Sequence, residues 1–153
     1  MLKLATLCYV RKNDQTLMLH RVKKKNDMHE GKWNGLGGKV ENGESPEECA
    51  IREIKEESGL TVSKLILKGF LTFPNFNGEN DWYNFLFIAE NPVGDLIESP
   101  EGDLKWVATK DVSSLHLWEG DKIFLPLLDQ PGFFTGKFVY KSGSLIEYSL
   151  NHY

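Results

Sequence analysis

Cysteine is scarce in this sequence. Among 153 residues only Cys8 and Cys49 are cysteines, and neither lies in a CxxC pattern or in Cys/His spacing. The sequence therefore does not predict a zinc site. Because disulfides persist mainly in oxidising compartments, we interpret the two residues as reduced thiols that pack inside a cytoplasmic protein.

Long apolar stretches are also missing. No segment approaches the roughly 18 apolar residues of a membrane helix. The start, MLKLATLCYV, has no basic region followed by an apolar stretch and a cleavage site of small residues. We therefore expect a cytoplasmic protein with no membrane association.

Positive charge is not in excess. The 18 Lys and Arg residues are outnumbered by 22 Asp and Glu residues, which gives a formal net charge of −4. Since non-specific affinity for nucleic acids comes mainly from surplus Lys and Arg, we expect no direct nucleic-acid binding. A small anionic substrate is compatible with this charge if metal ions supply positive charge locally. The composition does not decide the oligomeric state.

The overall amino-acid composition is typical of a globular protein, and we expect one domain spanning residues 1–153. Hydrophobic residues make up 41% and charged residues 26% of the chain. Runs rich in β-forming residues alternate with two helical segments, and the pattern predicts an α+β fold with a mixed sheet and helices outside it. The predicted strands are Leu2–Val10, Thr16–Val22, Val62–Phe73, Trp82–Ala89, a short one around Leu104–Val107, Phe134–Tyr140 and Ser144–Leu150; the predicted helices are Pro46–Ser58 and Asp121–Leu128.

The first predicted helix has clear start and stop signals. Ser45 suits the N-cap, Pro46 the first helical position and Gly59 the C-terminal stop. Ala50 and Ile54 are spaced i, i+4 and predict an apolar face that packs on the sheet.

The other face of this helix is acidic. Glu53, Glu56 and Glu57 stand at i, i+3 and i+4, so their carboxylates share one side. A Glu-rich helix alone is typical of a solvated acidic surface. Crowded carboxylates repel one another, however, and hard oxygen ligands without His or Cys favour Mg²⁺ or Mn²⁺ over zinc.

The segment GKVENGESPEECAIREIKEESGL resembles the Nudix box. That pattern is Gly, five residues, Glu, seven residues, then Arg-Glu-aliphatic-x-Glu-Glu-x-Gly-aliphatic. All specified positions are filled, by Gly38, Glu44, Arg52, Glu53, Ile54, Glu56, Glu57, Gly59 and Leu60. The match makes a merely solvated acidic face the weaker interpretation.

The resemblance implies the Nudix fold, an α/β/α sandwich in which the box forms a loop, a helix and a loop. In the family, glutamates at the positions of Glu53, Glu56 and Glu57 bind divalent ions, and the carbonyl at Gly38 commonly adds a ligand. Glu44 and Arg52 are assigned to orienting the cluster, and for Glu44 an exposed residue before the N-cap is the alternative.

A further carboxylate outside the box often acts in such enzymes as a base or an additional metal ligand. Glu101, in the loop ESPEGD, is the candidate. Glu98 and Asp103 are rival acids in the same segment, which would otherwise be an ordinary turn.

Segments outside the box narrow the substrate. GKWNGLGGKVENGE, EESGLTV, WEGDKIFLPLL and GKFVYKSGSLIEYSL are similar to oxidised purine nucleoside triphosphatases, which include the mammalian 8-oxo-dGTPase and bacterial MutT/MutX proteins. The resemblance implies Mg²⁺-dependent cleavage of a substrate such as 8-oxo-dGTP to nucleoside monophosphate and pyrophosphate, which sanitises the nucleotide pool; Mn²⁺ would substitute.

In this subgroup an apolar slot holds the purine. Asn34 matches a base-reading amide, Trp118 would stack on the base, and Asp121 matches one of two adjacent aspartates that contact it in the mammalian enzyme. The other position is Gly120 here, which puts dual recognition of oxidised guanine and oxidised adenine in question. Each residue also has a structural alternative, a turn cap for Asn34 and a core position for Trp118.

Three further positions match residues that line the pocket, namely Thr6, Met28 and Phe73, although Thr6 and Phe73 also suit strand positions that face a core. Met28 stands where the mammalian enzyme has an aromatic residue. The lysines Lys23, Lys24 and Lys25 would either meet the triphosphate or keep a loop soluble, and none is assigned.

Two other functions fit less well. A Nudix hydrolase of dinucleotide polyphosphates or nucleotide sugars is the enzymatic alternative, because the box gives the chemistry and not the substrate. A catalytically silent nucleotide-sensing Nudix domain is disfavoured by the intact glutamate set. The absence of GxxxxGK[ST] excludes a P-loop protein, and glutamates on a helix without an alternating-acid loop exclude an EF-hand.

Overall fold

A computed structural model describes residues 1–23 and 25–153. These residues form eight strands, two α-helices and two 3-10 turns. In chain order they are β1 (Leu2–Lys12), β2 (Gln15–His20), β3 (Trp33–Asn34), α1 (Pro46–Ser58), β4 (Lys64–Phe73), β5 (Asp81–Glu90), β6 (Asp103–Ala108), a 3-10 turn (Thr109–Ser114), α2 (Glu119–Phe124), a 3-10 turn (Leu125–Asp129), β7 (Phe134–Lys141) and β8 (Ser144–His152).

The strands form one mixed sheet in the order β3-β2-β1-β5-β4-β7-β8, with β6 paired to β2. β1 runs parallel to β5, β4 is antiparallel to β5, and β7 is parallel to β4. β2 joins β1 only beside the tight turn, where Arg11 pairs with Thr16, and then continues between β3 and β6. The predicted α+β class and mixed sheet are confirmed.

Helix α1 has the predicted bounds because local signals define both ends. The Glu48 N–H donates to Ser45 Oγ at 3.0 Å, and the Ser45 N–H donates to Glu48 Oε1 at 2.9 Å, which completes a capping box. Gly59 ends the helix in the left-handed conformation with φ 82°.

Two buried clusters lie on opposite faces of the sheet and create the sandwich. On one face, Ala50 and Ile54 of α1 are fully buried against strand residues such as Cys8 and Phe87. On the other face, residues of α2 and its following turn pack with β1 and β7; this cluster includes Tyr9, Leu86, Phe124, Leu128 and Phe138. The α/β/α layering therefore follows from apolar residues on both sides of β1 and β5.

The second helix differs from its prediction. A helix over Asp121–Leu128 was expected, whereas α2 spans Glu119–Phe124 and continues as the 3-10 turn Leu125–Asp129. Pro126 lacks an N–H, and its ring crowds the preceding turn, so an α-helix does not continue through it. No helix in the described part of the chain is both long and apolar enough to cross a membrane.

Candidate active site

Arg52 lies at the centre of a cluster of carboxylates on the loop and helix of the Nudix-like segment. Its Nε donates to Glu44 Oε2 at 2.6 Å, its NH2 group donates to Glu44 Oε1 at 3.0 Å, and its NH1 group donates to Glu53 Oε1 at 2.7 Å. This two-point contact with Arg52 lowers the pKa of Glu44 to about 2, so Glu44 remains ionised. The side chains of Glu44 and Arg52 thus fix one another.

Arg52 also ties the loop to the helix. Its NH2 group donates to the Lys39 carbonyl at 3.0 Å, and its NH1 group reaches Glu56 Oε2 at 3.3 Å. Glu48, one turn before Arg52, is not among these partners, because its carboxylate accepts the Ser45 N–H in the cap of α1. The guanidinium therefore positions the loop that precedes the helix and the glutamates on its exposed side.

Gly38 brings the loop backbone against Glu53. A Cβ atom at Gly38 would lie 2.5 Å from the Glu53 carboxyl carbon and 2.6 Å from its Oε1. A side chain at this position would displace the Glu53 carboxylate, so glycine allows the carboxylate and the loop to meet as they do here. The Gly38 carbonyl accepts the Thr6 N–H at 2.9 Å, and a carbonyl oxygen has a second lone pair for another partner.

Glu57 is the buried member of the cluster. Its residue is only 8% exposed, and its Oε1 accepts the Gly37 N–H at 3.0 Å. Burial raises the pKa of Glu57 to about 8; the Gly37 hydrogen bond opposes this shift, and repulsion from Glu53 and Glu101 adds to it. A positive charge beside these carboxylates would restore the ionised form of Glu57.

Glu101 faces the same region from the loop before β6. Its Oε2 lies 3.4 Å from an Arg21 nitrogen, and its charge contributes to the raised pKa of Glu57. The rival Glu98 is 90% exposed at its side chain and pairs with Lys23 at 3.3 Å. Asp103, the other rival, is an exposed residue at the start of β6. Of these acids, Glu101 is the one for which the structure shows an electrostatic effect on Glu57.

The donor set fits a hard divalent cation, although the carboxylates are paired separately in this structure. Across residues 1–23 and 25–153, no three His, Cys, Asp or Glu side chains converge as a formed metal site. Glu53 faces Arg52, Glu57 faces the Gly37 amide and Glu56 is 59% exposed. The polar atoms that these glutamates offer are carboxylate oxygens, the type that Mg²⁺ and Mn²⁺ prefer. Their mutual repulsion at Glu57 is a further sign that a cation suits this place.

A cavity of about 370 Å³ opens beside this cluster. It extends from the Gly-rich loop to α2 and is bounded by residues of β1, β4, β5 and β7. Its lining residues are Ala5, Thr6, Leu7, Arg21, Met28, His29, Asn34, Gly35, Leu36, Gly37, Gly38, Lys39, Phe73, Phe76, Asn77, Trp82, Asn84, Trp118, Asp121 and Tyr140.

All six residues that the sequence assigned to a purine slot line this cavity. Asn34 carries a buried amide nitrogen with no hydrogen-bond partner in the described part of the chain. Asp121 is 7% exposed, and burial raises its pKa to about 7, while the nearby charge of Lys32 opposes the shift. Thr6 and Phe73 line the walls, and Met28, 42% exposed, lies at the rim. The sequence thus identified a group of side chains that the fold brings together.

Trp118 is held by partners that the sequence did not suggest. Its indole Nε1–H donates to His29 Nδ1 at 2.8 Å, and the Lys32 ammonium lies 4.6 Å from its ring centroid. Burial lowers the pKa of His29 to about 4, which keeps the imidazole neutral and able to accept. Because its N–H is used within the protein, Trp118 offers a ligand its ring surface.

Several cavity residues were missed by the sequence analysis. Arg21, Phe76, Trp82, Asn84 and Tyr140 all line the cavity but come from two strands, β5 and β7, and two loops. Only the alternation of Phe138 and Tyr140 along β7 hinted at an inward-facing aromatic residue.

Of the lysines at positions 23–25, the two that the structure describes, Lys23 and Lys25, do not line the cavity. Lys23 donates to the Ser99 carbonyl at 2.7 Å, and Lys25 is exposed. Lys24 lies outside the described residues.

The sequence matches a known family over most of its length. The family model described as the NUDIX domain matches residues 1–128.

Curated relatives and solved structures extend this match. An oxidized purine nucleoside triphosphate hydrolase of Danio rerio is 38% identical over 124 residues, which cover 80% of this chain and 79% of that protein. An uncharacterized Nudix hydrolase of Bacillus subtilis is 33% identical over 144 residues, covering 91% and 87% of the two chains. The crystal structure of a mutator MutT protein from Bacillus halodurans has a TM-score of 0.86 and 34% identity, and the match covers 97% of each chain.

Proposed function

Because the chain belongs to the Nudix family of hydrolases, we propose that it is a Mg²⁺-dependent pyrophosphohydrolase of oxidised purine nucleoside triphosphates. One observation carries this proposal. Glu53, which Arg52 holds, lies against Gly38, and Gly38 lines the same cavity as Asn34, Trp118 and Asp121. This arrangement supports phosphate chemistry beside Gly38, here called the phosphate end, and purine recognition beside Trp118, here called the base end.

At the phosphate end, Glu53, Glu56, Glu57 and Glu101 would hold the divalent cations that Nudix hydrolases generally need, with the Gly38 carbonyl as a further ligand. When bound, such ions neutralise phosphate charge and acidify a water molecule for in-line attack. Arg52 and Glu44 hold the glutamates and the preceding loop in position relative to each other. Hydrolysis of the bond between the α and β phosphoryl groups would release nucleoside monophosphate and pyrophosphate.

At the base end, the groups suit an oxidised purine. The Asn34 amide offers both a donor and an acceptor to a base edge. The Trp118 ring, with its N–H already bound to His29, would stack on the base. Oxidation of guanine at C8 changes N7 from an acceptor to a donor, which the carboxylate of Asp121 would detect.

We also propose the bounds of the domain and the cellular compartment of the protein. We propose that residues 1–153 form one Nudix domain. Strands β7 and β8 lie beyond the residues matched by the family model, yet β7 pairs with β4 in the same sheet. A cytoplasmic location is supported by Cys8 and Cys49, which are both buried free thiols.

Steady-state kinetics with a substrate panel test the proposed function. The panel contains dGTP, 8-oxo-dGTP, a dinucleotide polyphosphate and a nucleotide sugar, each with Mg²⁺. We expect kcat/KM for 8-oxo-dGTP to exceed that for dGTP by at least about tenfold, equivalent to about 1.4 kcal/mol. Equal values for dGTP and 8-oxo-dGTP would exclude the sanitising function, and a preference for either of the other two compounds would identify another Nudix substrate.

A further inference from the structure

Gly120 of α2 lies against Tyr140 of β7, whose side chain occupies the space beside the glycine. A Cβ atom at Gly120 would lie 2.7 Å from the Tyr140 hydroxyl and 2.9 Å from Phe138 Cδ1. Because these distances are shorter than packed atoms accept, a side chain at position 120 would require the Tyr140 and Phe138 side chains to move. Glycine at position 120 therefore leaves room for the Tyr140 side chain.

The Tyr140 hydroxyl is held in place by one hydrogen bond, in which it is the acceptor. Its oxygen accepts the Gly120 N–H at 2.7 Å. A phenolic hydroxyl also has a proton to donate. No acceptor for that proton lies within hydrogen-bonding distance in residues 1–23 and 25–153, and Tyr140 lines the cavity. Burial raises the pKa of Tyr140 above its ordinary value, so the hydroxyl stays protonated and available to donate.

The ring of Tyr140 is held in place at the base end of the cavity. It meets the Trp118 ring edge-on with centroids 5.3 Å apart and the Phe76 ring with centroids 5.3 Å apart. Asp121 follows Gly120 in α2, lines the same cavity and acts electrostatically on Tyr140. A fixed donor and a carboxylate acceptor thus stand near each other beside the proposed stacking surface.

We propose that Tyr140 is a specificity-determining residue: its hydroxyl and the Asp121 carboxylate form a donor and acceptor pair that recognises a purine lactam, a C=O beside an N–H. This inference rests on the proposed function, since it needs a purine in the cavity. The hydroxyl donates to the carbonyl oxygen, and the carboxylate accepts the neighbouring N–H. A ligand that lacks this edge leaves the buried groups unpaired and is rejected.

Two purine edges have this chemistry. Guanine carries a lactam at C6 and N1, whereas 8-oxopurines carry one at C8 and N7. Adenine has an amino group at C6 and no N1 proton, so it presents the opposite pattern there. Of the corresponding triphosphates, dATP therefore contains neither lactam and dGTP contains only the C6 lactam. The triphosphate 8-oxo-dATP contains only the C8 lactam, and 8-oxo-dGTP contains both.

To test the inference, kcat/KM is measured for these four substrates at pH 8.5, with the wild type and with Tyr140→Phe. The substitution removes the hydroxyl and keeps the ring. We expect kcat/KM to fall at least about tenfold for the substrates that carry the recognised lactam and to change less than about twofold for dATP. The substrates affected identify the edge that is read, C6 for dGTP and 8-oxo-dGTP or C8 for the two 8-oxo compounds.

Tyr148→Phe is the matched control. Tyr148 is 51% exposed, stacks on Phe138 with centroids 6.1 Å apart and does not line the cavity, so its loss should leave all four values unchanged. A Tyr140→Phe variant that slows all four substrates equally, or none, overturns the inference. If the wild type prefers both guanine nucleotides alike and Tyr140→Phe removes that preference, Tyr140 recognition stands while the sanitising function fails.

Discussion

The two ends of the cavity are built in different ways. Under the proposed function, the phosphate end comes mainly from one contiguous segment, in which Gly38, Glu44, Arg52 and Glu57 lie on a loop and the helix that follows it, and Glu101 is added from the loop before β6. The base end is assembled from β1, β3, β4, β5, β7, α2 and loops that are distant in sequence. Hydrogen bonds within one loop and helix therefore fix the proposed reacting groups, whereas the proposed base contacts depend on how separate elements pack together.

The largest expected effect is at the phosphate end. Glu56→Gln and Glu57→Gln should each lower kcat by at least about a hundredfold, because the loss of a metal ligand removes charge stabilisation of the transition state. Turnover of 8-oxo-dGTP at saturating Mg²⁺ measures this, and the Tm should show that the fold is intact. Glu47→Gln, on the exposed first turn of α1, is the control. Near-normal kcat in either active-site variant would refute the assigned metal ligands.

A base-end substitution should change selectivity more than catalysis. Asn34→Ala removes an amide that is assigned to the base and not to the phosphates, and its nitrogen has no other partner among the described residues. We expect the roughly tenfold preference for 8-oxo-dGTP over dGTP to shrink to within about twofold, while kcat/KM for dGTP changes little. If both substrates lose the same factor, Asn34 acts on the phosphates or on folding, and the division between the two ends is wrong.

A smaller effect is expected from the partner of Trp118. His29→Leu removes the acceptor of the indole N–H and should raise KM for purine triphosphates about fivefold with kcat nearly unchanged, since a lost hydrogen bond costs about 1 kcal/mol. His29→Asn, whose side-chain oxygen takes the place of Nδ1, should restore most of the affinity.

His20→Leu is the matched control for this effect. His20 stacks on Trp33 with centroids 4.2 Å apart, and neither residue lines the cavity. An equal rise of KM in His20→Leu, or no rise in His29→Leu, would show that the contact between His29 and Trp118 does not position the stacking surface.

The smallest effect concerns stability and pH. Burial raises the pKa of Asp121 to about 7, so the folded chain binds this proton more tightly than the unfolded chain. The contribution of Asp121 to stability is therefore fully present below about pH 4 and is lost as the pH rises through about 7. Thermal denaturation without nucleotide should show a shallower fall of Tm between these pH values for Asp121→Asn than for wild type. Parallel curves would show that Asp121 titrates alike in both states.

The contrast between local segments and dispersed contacts also explains which features could be predicted from the sequence. Helix α1 and its caps were predicted correctly because Ser45, Pro46 and Gly59 act through local backbone chemistry. The division of the second helix into α2 and a 3-10 turn was missed, although Pro126 was the local signal for it.

Contacts at the base end were harder to foresee. The pairing of His29 with Trp118 joins residues 89 positions apart, and that of Gly120 with Tyr140 joins a helix to a strand. Resemblance to a family placed Asn34 and Trp118 in a pocket, but it gave no sign of partners such as His29 that fix their orientation. Long-range register across the sheet determines these contacts, and no short motif encodes it.

The central claim is that the phosphate end cleaves between the α and β phosphoryl groups of a nucleotide held by the base end. Chromatography that resolves phosphates, applied to 8-oxo-dGTP turnover with Mg²⁺, tests it most directly. We expect 8-oxo-dGMP and pyrophosphate in equal amounts. Orthophosphate and 8-oxo-dGDP as the main products would contradict it.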